Sequence, residues 1–205
     1  IGKEKDFTHA MNIYKRLTSP TVRVFTAITN FCRREGCNEY IADIWRDMKR
    51  QSIEPDEVLF SSLVYAGIET KDSKLLRELL TRWNISSFRE PLNACIQFIQ
   101  GFSKLNDIDS AFRSYDKLRS CFEPKSAAVT ALTLACSKCN QLDRAAMLAE
   151  DVLEYDLAVP EATFDSIILG CTFTKDVEKM KRLLKLWPGK LTLTKPIITC
   201  VRFVD

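Results

Sequence analysis

Residues 22–56 read VRVFTAITNFCRREGCNEYIADIWRDMKRQSIEPD, a stretch that follows Pro20 and closes on Pro55 and Asp56. Its apolar residues fall in two runs, one on each side of Gly36, and their spacing puts each set on one face of a helix. Because proline lacks an amide hydrogen and disfavours helix in the residue before it, each proline ends one helix and prepares the next. The stretch therefore predicts two helices joined by a short turn.

The same punctuation recurs along the chain. Six of the seven prolines, at positions 20, 55, 91, 124, 160 and 196, are separated by 33 to 36 residues. A fixed period of this size is typical of a solenoid, in which one helical unit is copied and stacked. Two amphipathic runs of helical length lie between successive prolines. We therefore predict an all-α chain with helices over residues 3–17, 22–34, 38–50, 57–69, 73–83, 92–103, 108–120, 127–137, 142–155, 162–173, 176–187 and 195–204.

Each predicted pair repeats the same core positions, because a single pair buries its apolar stripe only by stacking on neighbours. In the first helices, which follow the prolines, these are Phe25, Phe60, Cys95, Val129 and Phe164. In the second helices they are Ala10, Ile13, Tyr14, Leu17, Ile41, Ile44, Trp45, Met48, Leu76, Leu79, Leu80, Trp83, Ala111, Tyr115, Leu118, Ala145, Leu148, Val152, Met180, Leu183, Leu184 and Trp187. The expected N-caps of second helices are Asn38, Asp72, Asp107 and Asp176.

The composition is that of an ordinary folded chain with little net charge. The 205 residues are 46% hydrophobic and 28% charged, with a formal charge of +3. This excess is too small to indicate nucleic-acid binding by itself, and no apolar run reaches the roughly 18 residues of a membrane span. The chain opens in mid-pattern at Ile1 and its last predicted helix is the first of a pair. We therefore expect a segment of a longer array.

The stretch 22–56 resembles a pentatricopeptide repeat over its whole length. The matching points are Phe25, Gly36, Ile44-Trp45, Met48 and the closing Ile53-Glu54-Pro55-Asp56, and residues 101–112 and 135–145 are similar to the family's central turn. The near alternative is the tetratricopeptide class, a peptide-binding adaptor, but its Trp–Leu-Gly–Tyr signature is absent. The resemblance implies an α-solenoid, a right-handed superhelix of stacked helix-turn-helix pairs whose first helices line the concave side.

The resemblance covers residues 1–205 as one repeat array. We divide it into full repeats at 22–56, 57–91, 92–125, 126–160 and 161–195, with partial repeats at 1–21 and 196–205.

The resemblance also implies where single-stranded RNA would bind, since this class reads about one base per repeat with two or three side chains. In the family the fifth and closing residues contact a base edge, the second packs against the base, and the thirteenth often meets phosphate. The fifth residues here are Thr26, Ser61, Ile96, Thr130 and Asp165. The packing and phosphate positions add Arg23, Val58, Arg34 with its neighbour Arg33, Lys104 and Lys138.

Only Thr26 with the closing Asp56 forms a pair of the kind the family uses, and there it accompanies a purine, most often guanine. Ile96 offers a base edge neither donor nor acceptor. The closing residues Pro91 and Pro160 cannot replace an aspartate or asparagine, and the thirteenth position is Glu69 or Phe173 in two repeats. The base-reading code is therefore expected to be incomplete.

The eight cysteines and the single histidine give little reason to expect a metal site or catalysis. Cys136-x-x-Cys139 supplies two possible ligands, as do Cys32 and Cys37, whereas zinc needs four. Cys32, Cys136 and Cys171 share the eleventh repeat position, where a free cysteine acts as a small buried hydrophobe and suits a reducing compartment. His9 is expected to be exposed, and no Gly-rich phosphate loop occurs. We predict no catalytic, cofactor or metal residues and no small-molecule substrate or membrane partner within this chain.

Three functions from different classes follow. The first is RNA binding in an organelle, a mitochondrion or alternatively a plastid, in transcript stability, processing or translation. The second is a scaffold subunit of a large organellar ribonucleoprotein complex such as the mitochondrial ribosome, which contacts ribosomal RNA (rRNA) and proteins without reading sequence. A peptide-binding adaptor is the third possibility.

Overall fold

Residues 2–82 and 91–186, which a computed structural model describes, form stacked helical pairs. The helices are α1 (Gly2–Arg16), α2 (Val22–Glu35), a 3₁₀ helix (Asn38–Tyr40), α3 (Ile41–Arg50), α4 (Glu57–Glu69), α5 (Ser73–Arg82), α6 (Pro91–Lys104), α7 (Ile108–Arg119), α8 (Ser126–Lys138), α9 (Leu142–Glu154), α10 (Glu161–Phe173) and α11 (Val177–Leu186). The described ranges contain no β-strand. The all-α prediction is therefore confirmed, and the expected helix 195–204 lies outside the described residues.

The chain divides into two compact units, Ile1–Gly101 and Phe102–Asp205, and the boundary falls within α6. In the first unit, α2 packs on α3 and α4, and α4 packs on α5. In the second unit, α8 packs on α9 and α10, and α9 also contacts α11. The contacts of α2 with α4 and of α8 with α10 join first helices of successive repeats. The contact of α9 with α11 joins second helices in the same way, as expected when a repeat packs on its neighbour.

The core positions predicted from the sequence are largely buried. All five first-helix positions are buried, as are Trp45 and Met48 on α3. Ile13 and Leu17 are corrections, because they are 52% and 42% exposed. Apolar periodicity marks one side of a helix, but no neighbouring helix among the described residues buries these two side chains. Trp83 and Trp187 lie outside the described residues.

Each turn from a first to a second helix contains one residue in the left-handed region, at a spacing of 34 or 35 residues. These residues, with φ between 55° and 76°, are Gly36, Lys71, Asn106, Asn140 and Lys175. The amide of the following residue donates to a carbonyl five residues back, from Cys37 to Cys32 at 2.8 Å and from Asp72 to Gly67 at 2.9 Å. This geometry satisfies carbonyls that the helix end leaves unpaired. The repeat is therefore encoded in the backbone of its turns as well as in its core.

The aspartate caps follow these turns directly. Oδ1 of Asp72, Asp107 and Asp176 accepts the amide hydrogen of the residue three positions on, at 2.9, 3.3 and 3.1 Å. Asn38 is a correction, because it begins a 3₁₀ helix and no side-chain cap forms there or at the start of α3. Cys37 precedes it where the other turns place an aspartate or Gln141, so the first repeat enters its second helix differently.

Candidate nucleic-acid interface

The exposed face of the first helices carries the residues that the sequence marked as candidates. On α2 these are Arg23, Thr26 and Arg34, at repeat positions 2, 5 and 13, and all are at least partly exposed. On α4 the same face carries Ser61, partly exposed, and Val58, which is 60% exposed. Spacings of three and eight residues keep these positions within one stripe of a helix. The predicted packing and phosphate positions therefore share one surface within each of these helices.

The structure adds the ninth repeat position to this face. Asn30, Tyr65, Gln100 and Leu134 are all exposed there. The family resemblance implies no role for this position, although a residue seven places after the second position must lie on the same face. The ninth residues are chemically diverse, and an aromatic ring is available only at Tyr65 among these four.

The fifth residues present their polar atoms less openly than the resemblance implies. The Thr26 hydroxyl donates to the carbonyl of Val22 on its own helix at 2.9 Å. In the second unit, Oγ1 of Thr130 is buried and forms no hydrogen bond within the described residues, and Oδ1 of Asp165 is also buried. A base edge would have to compete with the helix for the Thr26 hydroxyl, and the Thr130 side chain would have to reorient to meet one.

In three repeats the closing residue is also the N-cap of the next first helix. Asp56 occupies this place before α4, and its Oδ1 accepts the amide hydrogen of Leu59 at 2.8 Å. Lys125 and Pro160 occupy it before α8 and α10 without a side-chain cap. Asp56 therefore has a structural role, because its side chain accepts an amide hydrogen that the start of the helix leaves unpaired. This role is separate from the base contact that the family resemblance implies.

Arg33 and Arg34, in the last turn of α2, have different partners. Nη1 of Arg33 donates to Oγ of Ser62 on α4 at 3.1 Å, and its guanidinium carbon lies 4.6 Å from the centre of the Tyr65 ring. Nε of Arg34 instead donates to Glu35 at 3.0 Å, and this side chain is 71% exposed. Arg33 therefore links two repeats, whereas Arg34 is paired within its own helix.

Lys104 and Lys138 end α6 and α8 at the thirteenth position, and both are exposed. Both belong to the second unit, as do Thr130 and Asp165. The other thirteenth residues, Glu69 and Phe173, are exposed as well. The position is thus accessible to phosphate where it is basic, and its chemistry varies between repeats.

The cysteines at the eleventh position are fully buried, as the sequence analysis expected of small core residues. Burial raises the pKa of Cys32 to about 12 and that of Cys136 to about 11. A thiol with so high a pKa is almost entirely protonated at neutral pH, so it is a poor nucleophile and a poor metal ligand. Within the described ranges no three histidine, cysteine or carboxylate side chains cluster as metal ligands would. His9 is exposed, as predicted.

No helix among the described residues combines the length and hydropathy that crossing a membrane requires.

Comparison with known proteins gives matches in sequence and in fold. No protein-family profile matches the chain. A chloroplastic pentatricopeptide repeat-containing protein of Arabidopsis thaliana is 19% identical over 189 residues, which covers 88% of this chain and 19% of the relative. The chain thus spans about a fifth of the length of that relative.

The solved structures that match include those of a maize pentatricopeptide repeat protein, PPR10. The crystal structure of PPR10 superposes with a TM-score of 0.61 at 15% identity, over 91% of this chain and 26% of that one. PPR10 in complex with an 18-nucleotide psaJ RNA element superposes with a TM-score of 0.53 at 17% identity, over 85% of this chain and 26% of that one. The fold is therefore the predicted all-α helical-repeat fold.

Proposed function

The chain is built of pentatricopeptide repeats, and on that basis we propose that it binds single-stranded RNA along the exposed face of its first helices. The observation that carries the proposal is the first full repeat, where Arg23, Thr26 and Arg34 share one exposed face and the exposed Asp56 begins the next first helix. Oδ1 of Asp56 caps α4, and a carboxylate has a second oxygen with which to accept from a base. PPR10, which shares the fold, has been crystallised with an RNA element.

We further propose that this binding serves organellar transcripts, in their stability, processing or translation. The Arabidopsis relative is chloroplastic, which favours a plastid over the mitochondrion that the sequence analysis put first. At the proposed surface, Val58 would pack against a base plane, whereas Ser61 would meet a base edge. Lys104 and Lys138 would contact phosphates in the second unit.

A scaffold that contacts RNA without reading it is the second candidate. The buried hydroxyl of Thr130 and the internal hydrogen bond of Thr26 favour it, because a base edge needs donors and acceptors that are free to meet it. Glu69 and Phe173 at the phosphate position favour it as well, because neither side chain neutralises a phosphate.

Replacing both Thr26 and Asp56 by Asn in the 205-residue chain distinguishes RNA binding that recognises bases from a scaffold that does not. Asparagine is as good an N-cap as aspartate, so the start of α4 is kept while the base-facing chemistry changes. The matched control is Asp72→Asn, which removes the same charge from a cap with the same geometry inside a repeat. Selection of RNAs from a random pool reports base preference for each variant, and circular dichroism reports the fold.

If the chain recognises bases, the double variant will prefer a different base at one position of the selected RNA. It will also lose about 1–3 kcal/mol of binding free energy for RNA with the original base. The Asp72→Asn control would keep the parent preference. An unchanged preference in the folded double variant would assign the chain to the scaffold class.

A further inference from the structure

The contact between α2 and α4 holds an arginine in a fixed position on the exposed face. Nη1 of Arg33 donates to Oγ of Ser62, and that hydroxyl in turn donates to Oδ1 of Asn30 at 3.2 Å. The guanidinium lies over the ring of Tyr65, 4.6 Å from its centre. Two independent contacts therefore define where the guanidinium sits, which removes much of the rotamer freedom that a surface arginine has.

This arrangement leaves flat apolar and cationic surface open to solvent. Tyr65 remains 43% exposed although Arg33 covers part of it, and Arg33 is itself exposed. Ser62, by contrast, is buried, so the anchor of the arginine is protected from water. An exposed aromatic ring beside an immobilised guanidinium is the kind of platform on which nucleobases stack in single-stranded nucleic-acid sites.

We propose that Arg33 and Tyr65 form a stacking site for one nucleobase between the first and second full repeats. The inference rests on the proposed RNA binding, and it adds a contact at repeat positions 9 and 12 to those that the family resemblance implies. The base stacks on the guanidinium and the adjoining ring, without a hydrogen bond to its edge. The contact therefore adds affinity at one nucleotide for any of the four bases.

A base fits this place better than a phosphate does. The Arg33 guanidinium is anchored on the buried Ser62 hydroxyl and lies over the Tyr65 ring, so its position is fixed beside an exposed aromatic surface. Arg34, one residue on, has a side chain that is 71% exposed and therefore accessible to a phosphate. A phosphate contact at Arg33 would also make no use of the exposed Tyr65 ring.

The test uses the tightest RNA selected from a random pool by the 205-residue chain, together with a series in which one abasic nucleotide is moved along that RNA. Affinities are measured for the parent, Arg33→Ala, Tyr65→Ala and Tyr65→Phe. The parent is expected to lose about 5- to 50-fold in affinity at the abasic position that faces the platform. Arg33→Ala and Tyr65→Ala should each bind intact RNA more weakly than the parent by a similar factor. An abasic nucleotide at the position that faces the platform should not weaken their binding further. Tyr65→Phe should show the same affinities as the parent across the series.

Arg34→Ala is the matched control, with the same charge removed from the same turn. It is expected to weaken intact and abasic RNAs by the same factor, as a phosphate contact would. If Arg33→Ala behaves in that way too, or binds like the parent, the stacking site is wrong while the proposed function stands. If the parent selects no RNA, both fall together.

Discussion

The hydroxyl of Tyr115 on α7 donates a 2.7 Å hydrogen bond to Oδ2 of Asp151 on α9, one repeat further along the chain. Asp151 is 1% exposed, and Nη2 of Arg119 lies 3.1 Å from its other oxygen, so this carboxylate is buried with two partners. Burial is the main cause that raises the pKa of the Tyr115 hydroxyl, and the hydrogen bond to Asp151 is the second. The hydroxyl therefore stays protonated and able to donate.

The same relation joins other neighbouring second helices. Tyr14 donates to Asp47 at 3.0 Å, and Nε1 of Trp45 donates to Glu78 at 3.0 Å, each across 33 residues. An aromatic donor on one second helix thus meets a carboxylate on the next, in both units of the chain. These directional contacts specify how a pair sits on its neighbour, which apolar packing alone defines less sharply.

Tyr115→Phe is expected to destabilise the fold by about 1–3 kcal/mol, because it leaves a buried carboxylate oxygen without its donor. Urea unfolding followed by circular dichroism measures the difference. Tyr65→Phe is the matched control, since the exposed Tyr65 hydroxyl has no protein partner within the described residues, and its effect should stay within about 0.5 kcal/mol. Equal effects of the two substitutions would contradict the role given to Asp151.

Glu78 makes the stability of the fold depend on pH. Hydrogen bonds from Lys49 first, and then from Trp45, lower the pKa of Glu78. A carboxyl with a lowered pKa stabilises the fold fully above its unfolded pKa of about 4.3, and that contribution is lost as the pH falls toward the folded value. Glu78→Gln should therefore be less stable than the parent at neutral pH and approach it below about pH 4.

Thermal unfolding across that pH range checks the prediction, with Glu123→Gln as the control at an exposed loop position. A constant difference between Glu78→Gln and the parent at every pH would show that the carboxylate charge does not matter.

Gly170 brings α10 against the backbone of α9. A Cβ there would lie 2.5 Å from the carbonyl oxygen of Leu142 and 2.7 Å from the amide nitrogen of Ala146. Backbone cannot move aside as a side chain can, so Gly170→Ala should cost about 1–3 kcal/mol as an overpacking change. At Gly67 a Cβ would meet side-chain atoms instead, Cδ2 and Cγ of Leu76 at 2.8 and 2.9 Å, so Gly67→Ala should cost less. The reverse order in urea unfolding would show that α9 and α10 are less closely packed.

The left-handed turn residues offer a gain in stability. Lys71 holds φ at 56° in the place where the first repeat has Gly36. A residue with a side chain pays roughly 1–2 kcal/mol to adopt this left-handed conformation. Glycine removes that cost but makes the unfolded chain more flexible, which lowers the gain, so Lys71→Gly should stabilise the fold by about 0.5–1 kcal/mol. Gly36→Ala should be destabilising by a similar amount. A loss of stability in Lys71→Gly would mean that its side chain contributes more than its backbone strain costs.

The sequence predicted the helices well because proline spacing and apolar periodicity are local signals. Most helix ends agree within one or two residues, and Phe25 and Trp45 are buried as expected. Ile13 and Leu17 were predicted wrongly because periodicity marks the apolar face but not whether a neighbour covers it. Asn38 failed as a cap because the turn before α3 closes as a 3₁₀ helix, which depends on geometry that residue type alone does not determine.

The candidate site was less predictable, since it depends on contacts between repeats. The family resemblance implied a base contact for Asp56, which stays a prediction, and the structure shows that Asp56 caps α4. Tyr65 received no role because only its contact with Arg33, 32 residues earlier in the chain, distinguishes it from other exposed residues of that face. Such pairings follow from how two helices stack, and a single sequence without its fold contains little signal for them.

The most direct test of RNA binding is the equilibrium affinity of the 205-residue chain for a random single-stranded RNA pool at about 0.15 M salt, with double-stranded RNA of equal length as competitor. We expect saturable binding that weakens linearly with the logarithm of salt concentration and that duplex RNA displaces poorly, because the proposed surface contacts unstacked bases. Absence of saturable binding, or equal binding of single-stranded and duplex RNA, would contradict the proposed function.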